Sequence, residues 1–105
     1  MGYIQRLAEI ATKELGDRRL YCIRDAANKI IAGDVACEFY IRPCKAGGWQ
    51  VFLQEFGRGV IYQDYRLSTE REACIKFIEI TEDEYHLGKY LSEFDEEGKE
   101  ERKTA

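Results

Sequence analysis

"WQVFLQEFGRGVIYQDYRLSTEREACIKFI", residues 49–78, decides the fold. Its first part, residues 49–56, alternates: Trp49, Val51 and Leu53 fall on one side and polar or aromatic residues on the other. Such a period of two marks a half-buried strand. Residues 60–67, "VIYQDYRL", read as a second strand. Register argues for the turn between them. A two-residue turn sets Val51 opposite Asp64 and Trp49 opposite Arg66. A three-residue turn, Gly57-Arg58-Gly59, closes Phe56 on Val60, so Val51 meets Tyr65 and Trp49 meets Leu67. Only the second puts the apolar sets on one face, because a slip of one residue reverses every side chain. Thr69 and Glu72 then spell a capping box, in which each side chain satisfies a free amide at a helix start. Ala73, Cys74, Phe77 and Ile78 make the apolar stripe of that helix, folded back onto the inner face of the hairpin.

Working outward, residues 35–42, "VACEFYIR", alternate and predict a further strand that Pro43 ends. Residues 3–15 put Ile4, Leu7, Ala8, Ala11 and Leu15 on one helical stripe, and Gly16 stands at the stop position. Between these, Leu20, Ile23, Ala27, Ile30 and Ile31 fit a helical face and favour a short helix near 24–32, with "LYCI" and "KII" as competing short strands. Downstream, Thr81 and Glu84 suggest a second capping box opening a helix with Leu87, Tyr90 and Leu91 on its apolar side. From Glu93 the chain is dense in mixed charge and is expected to fray. The expectation is an α+β fold: a small antiparallel sheet of three or more strands, packed by an N-terminal helix and one or two C-terminal helices. Residues 1–92 form one domain and 93–105 a charged tail.

Composition narrows the function classes. A chain of 105 residues, 45% apolar and 34% charged, supports one core and a well-solvated exterior. No apolar run approaches the roughly 20 residues of a membrane span. The opening residues carry charges throughout, so no signal peptide is read and the cytoplasm is the expected compartment. Cys22, Cys37, Cys44 and Cys74 are unevenly spaced, and His86 is the single histidine. No paired-ligand zinc spacing results, so neither metal nor cofactor is expected. The thiols read as small buried core residues kept reduced. Paired carboxylates are plentiful, but no nucleophile triad, metal motif or phosphate loop is present, so no enzyme is expected. Of the net charge of −4, residues 1–48 carry +2 and residues 49–105 carry −6. An acidic half disfavours nucleic acid and attracts basic proteins. Arg18, Arg19 and Arg24 are the one basic hint.

The outward faces of the strands display Glu38, Tyr40 and Arg42, then Gln50, Phe52 and Gln54, then Tyr62, Asp64 and Arg66. Aromatics mixed with charges suit protein recognition, unless another element such as the first helix covers them. Glu82, Asp83 and Glu84 form a second candidate patch, with favourable placement of acids at a helix start as its plainer explanation.

The string from Trp49 to Ile78 resembles the small immunity proteins of bacterial polymorphic-toxin and contact-dependent growth inhibition systems. These share a tryptophan-led strand, an arginine–glycine turn, a second strand and a Ser/Thr-capped helix with an Ala-Cys pair. The likeness covers about a third of the chain and rests on fold-forming positions. It implies a cytoplasmic protein that binds a cognate toxin C-terminal domain, commonly a nuclease, and occludes its active site or nucleic-acid-binding surface. Contact residues vary between such pairs and are not carried over. From the residues themselves, Glu38, Tyr40, Tyr62, Asp64, Glu82 and Asp83 are the candidate partner-binding side chains. A self-associating interaction module and a small hydrolase are the alternatives; oligomeric state is open.

Overall fold

The computed structural model describes residues 2–16 and 20–94. In chain order these form α1 (Tyr3–Leu15), β1 (Tyr21–Arg24), β2 (Ile30–Gly33), β3 (Phe39–Pro43), β4 (Trp49–Gln54), β5 (Ile61–Leu67), α2 (Glu70–Tyr85) and a 3-10 turn, Gly88–Tyr90. The fold is α+β, as expected. One five-stranded sheet has the order β2-β1-β3-β4-β5. Its pairs are antiparallel except β1 with β3, which run parallel. α1 packs on β1, β2 and α2, while α2 packs on β3, β4 and β5. Both helices therefore cover the same face. There Tyr21, Ile23, Phe39, Ile41, Trp49 and Val51 join Ile4, Leu7, Ile10, Phe77 and Ile78 in one core.

The decisive hairpin keeps its expected register: Trp49 opposes Leu67 and Val51 opposes Tyr65. Its loop differs. Glu55 N donates to Val60 O at 2.7 Å, leaving four residues, Phe56-Gly57-Arg58-Gly59, instead of three. Gly59 N reaches back to Glu55 O at 3.2 Å, and both glycines have positive φ. The extra loop residue is absorbed by a bulge. Leu53 pairs with Gln63 and Gln54 with Ile61, so Tyr62 stands outside the ladder and the inner set stays aligned.

Three expectations about elements are corrected. The helix near 24–32 is a hairpin, the competing reading of "LYCI" and "KII". Asp25 Oδ1 accepts from the amides of Ala27 and Lys29 at 2.9 Å, and Asn28 is left-handed at φ 66. This side-chain turn offers the backbone a better local arrangement than a helical one. The strand expected over 35–42 joins the ladder only at Phe39. Residues 34–38 instead wrap the start of β1, with Glu38 N and Phe39 N both donating to Leu20 O. That close wrap needs Gly33, whose added Cβ would lie 2.0 Å from Tyr21 O, at φ +80. Finally, no helix starts at Thr81. α2 runs through it to Tyr85, and the buried Thr81 hydroxyl donates to Phe77 O at 2.7 Å. The apolar stripe simply continues past the apparent cap.

The globular part also reaches at least Phe94, beyond the expected boundary at 92. Phe94 is buried in the core, its carbonyl accepts from Arg71 Nε at 2.6 Å, and Glu93 pairs with Arg6 Nε at 2.7 Å. The remainder of the expected tail, residues 95–105, lies outside the described residues, as do Arg18 and Arg19.

Candidate protein-docking face

The period-two alternation that turns Ile41, Val51 and Tyr65 inward turns Arg42, Gln50, Phe52, Asp64 and Arg66 outward. Both helices are on the inner side, so among the described residues no helix or strand covers the outer face. Cross-strand register sorts it into rows. Arg42, Gln50 and Arg66 oppose one another, as do Tyr40, Phe52 and Asp64. Cys22 extends the second row beside Tyr40, and Arg24, one residue past the Ile23–Ile41 pair, extends the first. A third row holds Glu38 and Gln54, linked by Gln54 N to Glu38 O at 2.9 Å, with Tyr62 beyond.

The middle row is a small second core of Cys22, Cys37, Tyr40 and Phe52. The Tyr40 and Phe52 rings stack, centroids 4.9 Å apart and planes 11° from parallel. The Arg42 guanidinium lies 5.0 Å from the Phe52 centroid and 5.4 Å from that of Tyr40. Such stacking fixes a planar cation over apolar area. Around it runs a polar chain. Arg42 Nε donates to Gln50 Oε1 at 2.9 Å, Gln50 Nε2 donates to Asp64 Oδ1 at 3.0 Å, and Arg66 Nε donates to the same oxygen at 3.3 Å. The Gln50 amide, chiefly, and Arg66 hold the Asp64 carboxyl below its ordinary pKa. Arg24 Nε donates to Tyr40 Oη at 2.7 Å and its Nη1 to Asn28 O at 2.7 Å.

Cys22 and Cys37 are neighbours in this small second core. The Cys37 thiol, chiefly, with help from the Tyr40 hydroxyl and Arg24 and against burial, pulls Cys22 down to about 7; the Cys22 thiol and burial push Cys37 up. Both thiols are shut off from solvent beneath the sheet surface. No substrate reaches them in this conformation, so the pair is a packing element here. Cys74 is buried against the helix–sheet core, which pushes its thiol up.

The structure brings four of the six candidate contacts together and separates two. Glu38, Tyr40, Tyr62 and Asp64 share the outer sheet face. Tyr40, however, is 95% buried under Arg24 and Arg42, where it supports cations and offers little contact surface. Tyr62 is well exposed, and its hydroxyl donates to Glu55 Oε1 at 3.0 Å. That carboxylate raises the pKa of the tyrosine hydroxyl. Glu82 and Asp83 sit in the last turn of α2, on the helix-covered side. The plainer explanation offered for them, a helix start, does not hold: these acids are at a helix end, where the dipole disfavours them. Glu82 has a local task, accepting from Gly88 N at 2.6 Å.

A further feature was missed in the sequence. Leu20, Val35, Phe56, Val60, Ile61 and Tyr62 are six of the seven exposed large apolar side chains among the described residues, each between 44% and 60% exposed. All six lie at one end of the sheet. Leu20 precedes β1, Val35 is in the loop that wraps it, and the other four form the β4–β5 tip. The signal was the run "FGRGVIY", an apolar-flanked turn where polar residues are usual. Apolar side chains gathered at one exposed edge mark an interaction surface, whereas scattered ones mark nothing. The opposite end of the outer face carries Arg24, Arg42, Lys45 and Arg66.

Among the described residues no group of three or more His, Cys, Asp or Glu is placed to hold a metal ion, and no helix is long and apolar enough to cross a membrane. Compared with models of protein families, with curated proteins and with solved structures, the chain matches none.

Proposed function

We propose that this chain is an immunity protein, which binds a bacterial toxin domain and neutralises it by occlusion. The observation that carries the reading is the uncovered sheet face whose apolar end presents Leu20, Val35, Phe56, Val60 and Ile61. Glu38, Glu55 and Tyr62 border that end and supply acidic and hydrogen-bonding groups beside the apolar anchor; Glu55 is paired with Arg58 of the same tip at 3.5 Å, so among the described residues Glu38 carries the unpaired acidic charge there. An apolar centre with a polar rim is the usual anatomy of a protein interface. The resemblance over residues 49–78 supports the choice of partner: its positions build the β4–β5 hairpin and α2, which carry the tip. A basic nuclease domain is the class of toxin such a border would meet, because a surface that holds phosphates is positively charged.

Co-expression with a candidate toxin domain from a neighbouring gene tests the proposal. Rescue of growth and co-purification of a stable complex are the expected results. Failure of both overturns it. Self-association is the second reading, favoured by β5, a seven-residue edge strand exposed over most of its length. A dimer at micromolar concentration in sedimentation, without toxin binding, would select it.

A further inference from the structure

The end of the sheet opposite the apolar tip is a cavity of about 350 Å³ lined by Asn28, Arg42, Pro43, Cys44, Lys45, Gln50 and Arg66. Its charge is unexpected in a chain of net −4. Three cations line it and no carboxylate does. Arg42 is held by its Nε on Gln50 and by the two stacked rings beneath it. Among the described residues, neither of its Nη atoms has a hydrogen-bond partner, and neither Arg42 nor Lys45 forms an ion pair. A guanidinium fixed in place with its fork unused is prepared for a planar oxyanion, because little side-chain freedom remains to be lost on binding. Arg66 leans on Asp64 through Nε, and its side chain is otherwise mostly exposed.

We infer that this cavity is a carboxylate site: Arg42, Lys45 and Arg66 bind one Asp or Glu side chain of the docked protein. The inference deepens the docking reading and rests on it for the source of the carboxylate. A polyanion fits the surface less well than a single acid. Glu38, the residue just before β3, lies four positions from Arg42, about 13 Å at the rise of a strand, with Asp64 between. A strand of phosphates crossing the face would leave the cations and run onto these carboxylates. A protein surface, with charges that change sign over such distances, meets no such conflict. The bipartite face thus asks its partner for a basic or apolar patch at one end and an acidic side chain at the other.

A nitrogen-15 NMR titration of the full chain at low salt tests this without any toxin domain, so it fails or succeeds independently of the rescue experiment. The probe is a short end-blocked peptide with one aspartate, with asparagine in its place as control and a thymidine dinucleotide carrying one phosphate as the rival. Saturable shifts of the Arg42, Lys45 and Arg66 amides and of the Arg42 Nε–H with the aspartate peptide alone are expected. Lys45→Glu and, separately, Arg66→Glu should each weaken them about ten-fold or more, with an unchanged melting temperature confirming that each variant folds. Arg42→Lys should keep the charge but lose much of the affinity, because the fork is gone. Absence of saturable shifts up to about 10 mM peptide overturns the site. Dinucleotide binding about ten-fold tighter than peptide binding, at the same residues, makes it a phosphate site and overturns the carboxylate assignment.

Discussion

At the scale of single residues, several side chains hold together elements distant in sequence. α1 begins without a side-chain cap of its own and without an acid in its first turn. Glu70, in the first turn of α2, supplies both: its Oε2 accepts from Ile4 N at 2.8 Å. One carboxylate thus serves the positive ends of two helices. Glu70→Ala should cost roughly 0.5–2 kcal/mol in urea unfolding, the range for loss of a helix cap, and Glu70→Gln should cost less, because an amide oxygen still accepts. An unchanged midpoint in the alanine variant would show the bond to contribute nothing. Asp64 offers a residue-scale test by pH. Its folded pKa is lowered, first by the Gln50 hydrogen bond and then by Arg66. Its contribution is therefore fully present above the ordinary aspartate value near 3.8 and is lost as pH falls through the lower folded value. Asp64→Asn should flatten that part of the acid stability profile and leave the profile above pH ~5 with the same slope. The gain is small, since the group is partly exposed and screened.

At the scale of elements, what could be read from the sequence was what a strong local pattern dictated. The β4–β5 register followed from matching two alternating sets, and the capping box of α2 is present as spelled, with Glu72 N on Thr69 Oγ1 at 3.1 Å and Thr69 N on Glu72 Oε1 at 3.2 Å. The Ile4–Leu15 stripe of α1 was equally plain. The β1–β2 hairpin was ambiguous because its apolar residues fit both periods, and the deciding Asp25 turn leaves no periodic trace. Thr81 and Glu84 spelled a cap, yet Phe77, Ile78 and Thr81 all face the core, so packing carried the helix through. In the face itself, the outward side chains of the strands were legible. The apolar tip was not, since alternation says nothing about a residue beyond the ladder. The continuation of α2 has a measurable consequence. Its final turn holds Glu82, Asp83 and Glu84 and no basic residue, opposite to what the dipole favours. Glu84→Lys should stabilise the protein by about 0.3–1 kcal/mol, seen as a raised melting temperature that salt diminishes. A decrease would mean that Glu84 makes a favourable contact which the dipole argument omits.

At the scale of the whole molecule, the outer face is polar in the electrical sense: apolar and acidic at the β4–β5 tip, cationic at the Arg42 end. These two kinds of contact act on different stages of binding. Long-range charge sets the encounter rate, and desolvated apolar contact sets how long the complex lasts. Glu38 lies beside the tip and Phe56 at it, so substitutions there should separate the two. Phe56 is 53% exposed and sits in the loop, so Phe56→Asp should fold normally. In a binding assay against the proposed toxin-domain partner by surface plasmon resonance, it should raise the dissociation rate about 30-fold or more, as loss of a central aromatic anchor does. Glu38→Lys should instead slow association at low ionic strength, and that effect should fade near 0.5 M salt, where the Debye length falls to about 4 Å. If Phe56→Asp leaves dissociation untouched while Glu38→Lys changes it at every salt concentration, the anchor is not apolar. The contact would then have to be sought along the charged rows of the sheet.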